Sequence, residues 1–361
     1  MGKKMRASMR PTELDAKTVV TEAVIPRATS GTVVPMEAQS VDQLPVGDEW
    51  HYEPKWDGFR CIAIRDNGLE LQSKSEKSLT RYFPEIVAAL QDVKAEHFIL
   101  DGEIAIAVNG AFEFDTLLQR IHPADSRVKK LAAEFPGTYI VFDLLEDKAE
   151  HSLLERPLSE RRKLLEAFFT RYLKANPRFA LSPATRDPAE AQAWCDSSVG
   201  NVDGIVAKRI DLNYRSGDRT GMVKYKWLKT ADCVVGGFRY GSNSTLVGSL
   251  LLGLYDKDGL LNHVGFCSGI KSNEKADMTQ KLEKLIKPPG FTGKAPGGPS
   301  RWSTERSTEW QPLKPLLVVE VQFDHVSGDR FRHGTRLLRW RPDKTPAQCT
   351  MEQLRQLARN S

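Results

Sequence analysis

The chain has 361 residues, 40% of them hydrophobic and 27% charged, a length and balance that suit two soluble domains, each with its own core. No apolar run approaches the roughly 20 residues that a membrane helix needs, which excludes the bilayer as solvent. The 52 Lys+Arg exceed the 47 Asp+Glu by a margin that permits a nucleic-acid partner without requiring one.

In chain order, residues 1–30 come first. Lys3, Lys4, Arg6, Arg10, Lys17 and Arg27 outnumber Glu13, Asp15 and Glu22 there, and no apolar segment of the signal-peptide kind is present. They are expected to form a poorly ordered basic tail, with a DNA-binding arm as the alternative. Cys61, Cys195, Cys233, Cys267 and Cys349 are scattered without a CxxC pair, which favours reduced thiols over a disulfide framework or a zinc site. Residues 59–65 and 69–72 flank Asp66-Asn67-Gly68, and Asn-Gly between β-rich arms predicts a hairpin. FILDGEIAIAV (98–108) and TYIVFDLL (138–145) read as further strands. Leu164, Leu165, Phe168 and Phe169 recur with helical spacing after Pro157, and Asp187-Pro188-Ala189-Glu190 has the form of a capping box opening a helix through Trp194. Those apolar stripes are core. Residues 204–207 and 222–227 read as two more strands.

From about residue 231 the texture changes to short β runs: CVVGGFRY, SLLLGLY, LLNHVGFC, LLVVEVQF and RLLRW. One helix is expected among them, over 272–287, with Met278, Leu282, Leu285 and Ile286 as its apolar stripe. Five strands and a helix predict a small Greek-key barrel of the OB type, whose open face commonly binds nucleic acid. The Pro/Gly/Ser-rich segment 288–300 is a loop inside it, and Lys229-Thr230 marks the boundary, where a hinge would fit. The expected architecture is α+β, with antiparallel sheets and flanking helices over 31–228 and the OB-type domain over 231–361.

Within YEPKWDGFR (52–60), Lys55 sits two residues before Asp57-Gly58 and five before Arg60. A free lysine has pKa about 10.4, so near neutral pH only on the order of one in a thousand is the nucleophilic amine. Burial beside other cations, or a bound metal, favours the neutral form. Arg60 and the pair Lys224 and Lys226, alternating on one face of a strand, offer such cations.

KWDGFR (55–60), DGEI (101–104), VFDLL (141–145), DGIVAKR (203–209), VKYKW (223–227) and RWRPDK (339–344) resemble, in order and spacing, the six-motif signature of covalent nucleotidyltransferases. More narrowly, the chain from about residue 34 onward resembles an ATP-dependent DNA ligase of the small stand-alone bacterial type, ligase C. That family's fold is an adenylation domain followed by an OB domain. The resemblance makes Lys55 the amine that attacks the α-phosphate of ATP, with Lys224 and Lys226 on the phosphates and Asp57 orienting the lysine or a metal-bound water. Arg60 and Glu103 would hold the ribose and order the site, Phe142 would stack on adenine and Glu53 would read the base. Asp203 would bind Mg²⁺ or Mn²⁺, with Glu103 reaching the metal's water. RWRPDK would swing in to align pyrophosphate through Arg341 and Lys344, assisted by Asp343, and swing away so that DNA can bind. The implied partner is nicked duplex DNA, with end-binding or gap-filling repair proteins beside it. The implied setting is a monomer in the bacterial cytoplasm, at the nucleoid.

Two departures stand out. Asp203 occupies a place where the family usually has glutamate, which shortens its reach to a metal. Ser73-Lys74-Ser75-Glu76 stands where Ser-Arg-Asn-Gly is common, losing a bidentate phosphate fork and adding a charge that repels DNA. Weaker DNA affinity or nick selectivity is the expectation. NAD as adenylate donor is disfavoured because no four-cysteine element is present. An mRNA-capping-type guanylyltransferase, which shares the lysyl-nucleotide logic, and a non-catalytic nucleic-acid clamp are the competing readings.

Overall fold

The computed structural model describes residues 33–148, 151–196, 202–297 and 309–354. The tail expected over residues 1–30 lies outside them. The first region contains β1 (Gln39–Val41), β2 (Trp50–Pro54), β3 (Phe59–Arg65), β4 (Leu69–Ser73) and β5 (Phe98–Ala105). The short pair β6 (Ala107–Val108) and β7 (Ala111–Phe112) follows, then β8 (Thr138–Glu146), β9 (Phe179–Leu181), β10 (Gly204–Arg209) and β11 (Met222–Lys226). Its helices are α1 (Pro84–Gln91), α2 (Phe114–Leu118), α3 (Asp125–Glu134), α4 (Leu158–Phe168) and α5 (Pro188–Asp196).

These strands form two main sheets, one ordered β4-β3-β5-β8-β9 and the other β1-β11-β10-β2. The Asn-Gly hairpin forms as its sequence predicts: Arg65 pairs with Leu69, and Asn67 takes the left-handed conformation that asparagine tolerates. The larger sheet packs on α1 and α4 through Ile86, Leu90, Phe98, Leu165 and Phe168, where each buried aliphatic or aromatic side chain stabilises the fold by roughly 1.5–3 kcal/mol. After Phe168 the helix widens into a single π turn, Phe169–Leu173, which still buries Leu173. The start of α5 is capped by Asp187, whose Oδ1 accepts the Ala189 N–H at 2.8 Å. Glu190 accepts from the Thr185 hydroxyl (2.5 Å) while the Asp187 N–H donates to that hydroxyl oxygen (3.0 Å), so threonine relays what a reciprocal box does directly.

The second region contains β12 (Lys229–Tyr240), β13 (Val247–Tyr255), β14 (Leu261–Cys267), α6 (Lys275–Glu283), β15 (Gln311–Pro312), β16 (Val318–Phe323), β17 (Val326–Ser327), β18 (Arg330–Phe331) and β19 (Arg336–Trp340). Five long strands run in the order β14-β13-β12-β16-β19, with the two-residue β15 as a sixth strand on β12. The sheet curls until one bridge, Cys267 to Thr335, joins its edges through the Thr335 N–H and the Phe266 carbonyl (2.9 Å), and it does not close into a continuous ladder. Over 272–287 a 3₁₀ turn, Ser272–Glu274, precedes α6, which ends at Glu283 and adds Met278 and Leu282 to the core of the curled sheet. Lys229 opens β12 opposite Phe323, so the chain changes region at Trp227-Leu228, both more than a third exposed. The loop expected over 288–300 is described as far as residue 297. Among the described residues no helix is long and apolar enough to cross a membrane.

Candidate active site between the two sheets

Strands β2 and β10 pair antiparallel, with Glu53 opposite Val206 and Pro54 opposite Ile205. The ladder continues one step beyond them: the Lys55 N–H donates to the Gly204 carbonyl and the Asp203 N–H to the Lys55 carbonyl, each at 2.9 Å. Backbone register therefore sets Lys55 against Asp203, and Nζ lies 2.7 Å from Oδ2. Gly204 has φ +146°, and a Cβ there would come 2.1 Å from the Tyr225 carbonyl oxygen, which is why the Asp-Gly pair must be glycine at its second place. Gly58 solves a related problem, because a Cβ there would meet the Ile104 carbonyl oxygen at 2.3 Å. The KWDG turn thus lies directly on β5.

The remaining polar groups reach the cleft from both sheets. On β11, Lys224 pairs opposite Val206 and Lys226 opposite Gly204. Burial first, then the charges of Lys226 and Lys55, pull Lys224 below the usual lysine value. On the larger sheet Arg60 stands opposite Glu103. Burial pushes the Glu103 carboxyl up, Arg60 and Lys55 oppose that, Asp101 and Asp57 reinforce it, and the result is about 7. Arg60 is clamped by Asp101, with Nε and Nη2 each 2.5 Å from a carboxylate oxygen and the Tyr214 hydroxyl donating to the same carboxylate at 2.8 Å. Its guanidinium lies 4.7 Å from the Phe142 ring centroid, and the Lys208 ammonium lies 4.4 Å from it. Glu53 is only 2% exposed and accepts from Lys208 Nζ at 2.9 Å. Burial alone would raise its pKa, but Lys208, His51 and Arg162 outweigh that and bring it to about 2.

A third set comes from the second region. His325 Nε2 lies 2.6 Å from Asp203 Oδ1 and 3.2 Å from Asp57 Oδ2, Arg332 Nη1 lies 2.6 Å from the same Asp57 oxygen, and Lys226 Nζ lies 2.7 Å from Asp324 Oδ2. Burial works against a charge on His325, but its hydrogen bonds to Asp203 and Asp57 prevail and raise it to about 9. Asp203 is pushed up by burial and brought well below the usual range by His325 and Lys55.

Of the residues singled out in the sequence, the cleft unites Glu53, Lys55, Asp57, Arg60, Glu103, Phe142, Asp203, Lys224 and Lys226. Arg341 and Lys344 lie elsewhere: Arg341 pairs with Asp232 and Asp343 (2.8 Å each), and Lys344 also pairs with Asp232. Lys74 pairs with Glu37 at 2.9 Å, and Glu76 occupies a left-handed turn position, φ +60°. Cys61, Cys233, Cys267 and Cys349 are buried free thiols.

Carboxylate oxygens of Asp57 and Asp203 and a ring nitrogen of His325 lie within 4.8 Å of one another; the two carboxylates are donors that fit a divalent cation, and His325 is hydrogen-bonded to both. A narrow crevice lined by Met36, Arg60, Asp101, Phe142, Lys208 and Tyr214 gives the Phe142 ring a rim of cations.

Sequence reasoning missed Asp101, Lys208, Asp324, His325 and Arg332. The first two stood inside quoted motifs, DGEI and DGIVAKR, as unassigned charges. For the others the signal was DHVSGDRFRH (324–333), a polar insert between two strands that holds two of the chain's seven histidines.

A family model described as "ATP dependent DNA ligase domain" matches residues 35–226, and another, "ATP dependent DNA ligase C terminal region", matches residues 243–344. DNA ligase C2 of Mycolicibacterium smegmatis is 42% identical over 339 residues, 89% of this chain and 94% of that protein. The "Multifunctional non-homologous end joining DNA repair protein LigD" of Mycobacterium tuberculosis is 30% identical over 331 residues, 90% of this chain and 39% of that much longer protein. A solved structure described as "DNA binding with a minimal scaffold: Structure-function analysis of Lig E DNA ligases" aligns with TM-score 0.55 and 16% identity, covering 86% of this chain and 100% of that one, a likeness of fold alone.

Proposed function

The chain belongs to the ATP-dependent DNA ligase family and is an ATP-dependent DNA ligase, and we propose that Lys55 is the residue through which it carries AMP to a nick. In the first step a bond forms between Lys55 Nζ and the α-phosphorus while the bond to the bridging oxygen breaks, and pyrophosphate leaves with that electron pair. In the second, an oxygen of the 5′-phosphate displaces Lys55 from phosphorus. In the third, the 3′-hydroxyl attacks the activated 5′-phosphate and AMP departs. Each displacement asks the protein mainly to position groups in line and to neutralise charge.

Lys224 and Lys226 meet the phosphates, Arg60 the ribose, and Phe142 and Glu53 the base. Asp101 holds Arg60 rigid for that task. Asp203 and Asp57 are the residues that hold a divalent cation, with Glu103 toward its water. That cation supplies charge neutralisation at the phosphates when bound. Arg341 and Lys344 serve pyrophosphate departure when the second domain turns its other face inward. We place the domains at 31–228 and 231–361.

The observation that carries this reading is the pair of backbone hydrogen bonds that ties Lys55 to Asp203-Gly204, which fixes one lysine in a cleft where three other cations converge from both sheets. Lys55 must leave its 2.7 Å pair with Asp203 before its amine reaches phosphorus. The likeness to a protein described as a non-homologous end joining DNA repair protein favours a role in DNA repair, which we place beside end-binding or gap-filling proteins, for a monomer in the bacterial cytoplasm. Sealing of a singly nicked duplex tests the reading. ATP with Mg²⁺ or Mn²⁺ is expected to support closure and GTP is not; label retained from GTP alone would instead favour a guanylyltransferase.

A further inference from the structure

The segment 324–333 carries β17 and β18 as a small hairpin turning at Gly328, φ +57°. It comes from the second region, where Arg330 meets His263, yet four of its side chains make polar contacts in the first. Asp324 places a carboxylate 2.7 Å from Lys226 Nζ. Arg332 places a guanidinium nitrogen 2.6 Å from Asp57, with its carbon 3.6 Å from the centroid of Phe114. His325 places a ring nitrogen 2.6 Å from Asp203. Ser327 Oγ adds bonds of 2.8 and 2.9 Å to the Asp115 carboxylate, outside the cleft. The side chains of Asp57, Asp203, Arg332 and Asp324 are 11–17% exposed, so the carboxylates in the cleft are largely shielded from water, while the Ser327–Asp115 contact is exposed.

The signs are informative. An anion sits on a lysine assigned above to phosphate, and nitrogen donors, one of them a permanent cation, sit on the two carboxylates assigned to a metal ion. That is the charge pattern of a metal-bound triphosphate, supplied by the chain itself. Arg332 Nη2 is buried and has no hydrogen-bond partner among the described residues, so the hairpin meets the charges of the site without satisfying all of its own. We propose that the hairpin 324–333 is an internal stand-in for the metal–nucleotide, an autoinhibitory plug that must leave the cleft before ATP and its cation can enter. The inference rests on the assignment of Lys226, Asp57 and Asp203 to that ligand. Lys226 cannot hold Asp324 and a phosphate oxygen at the same place, so the docked form is closed to nucleotide and the apparent affinity falls by the fraction of molecules that are open.

Two variants test it, each read by equilibrium ATP binding in EDTA, where no chemistry occurs. Asp324→Asn, which keeps the shape and removes the anion, is expected to bind ATP about ten-fold tighter than wild type if the plug is docked about nine-tenths of the time. Paired Ser327→Cys and Asp115→Cys substitutions, at contacting positions away from the nucleotide, are expected to cross-link under mild oxidant. The cross-linked protein should bind ATP at least ten-fold more weakly and recover with dithiothreitol. Unchanged ATP affinity in Asp324→Asn, failure of the pair to cross-link, or a cross-linked protein that binds ATP as the reduced one does would each overturn the plug. Lysyl-AMP formation by wild type and by the reduced pair is measured alongside. Its presence keeps the Lys55 assignment standing even if the plug fails, and its absence removes that assignment independently.

Discussion

Between Tyr52 and Lys226 the chain buries Glu53, Glu70, Asp101, Arg120, Asp143, Arg161, Arg162 and Lys208 to 8% exposure or less, whereas between Ala231 and Leu354 only Asp232 and His263 among the described acidic and basic residues are hidden to that degree. The second region instead gathers one continuous apolar cluster running from Ala231 to Leu354, while the first divides its apolar residues among three clusters with ion pairs threaded between them. Even the buried His263 of the second region is kept neutral, since burial and the charges of Arg330 and Arg239 bring it down to about 3. Charges fixed in place in low dielectric require partners behind them, and the first region supplies these: Asp101 behind Arg60, Lys208 behind Glu53, Arg161 behind Asp143. The second region has no such requirement, and its working charges lie on its rim.

The sharpest way to break that contrast is at Lys55. Lys55→Ala should abolish AMP attachment and sealing while leaving the protein folded, because Asp203 keeps His325 as a partner when the lysine is removed. Unchanged activity in that variant would support a non-catalytic clamp. Next in size is Arg120, fully buried and held by both oxygens of Glu85 at 2.8 Å and by the Tyr82 carbonyl at 2.6 Å. Arg120→Met should cost about 3–5 kcal/mol in urea unfolding by stranding Glu85. Leu252→Ala in the second region should cost about 2–5 kcal/mol through a cavity. A cost below about 1 kcal/mol for Arg120→Met would mean that the ion pairs of the first region are not structural. Replacing Arg341 and Lys344 together by alanine should slow AMP attachment about 100-fold while sparing sealing by enzyme already carrying AMP, as quench-flow would separate. Equal loss in both steps would contradict the assignment of those cations to pyrophosphate.

The smallest effect is a pH dependence at the contact between the regions. Burial pushes Asp324 up, but Lys226 and His333 outweigh it and lower it to about 2 from 3.8. Its contribution is complete above about pH 4 and is lost as pH falls through 2. Allowing for its partial exposure, wild type should lose about 1 kcal/mol over that window relative to Asp324→Asn.

Much of the candidate site was legible because strand register converts short motifs into geometry. Once β2, β10 and β11 pair as their alternation demands, Lys55, Asp203, Lys224 and Lys226 have little choice of neighbour. The Asp101 clamp was hidden by attention to Glu103, since in DGEI either carboxylate reads as a strand-end charge. Arg332 was hidden for a deeper reason: its contact with Asp57 spans 275 residues and joins two regions, and no local periodicity encodes how one region rests on another. The second sheet's strands followed their apolar alternation, but the two-residue β15 is too short to leave a pattern. Lys229, expected at a junction, pairs with Phe323 and so already belongs to the second sheet, a pairing that no local pattern announces.

Peptide mapping by mass spectrometry after incubation with ATP and Mg²⁺ or Mn²⁺ tests the central claim most directly. The predicted result is one adenylylated peptide, bearing its AMP on Lys55 and losing it when nicked DNA is added. An unmodified Lys55, or AMP found on another side chain, would contradict the account.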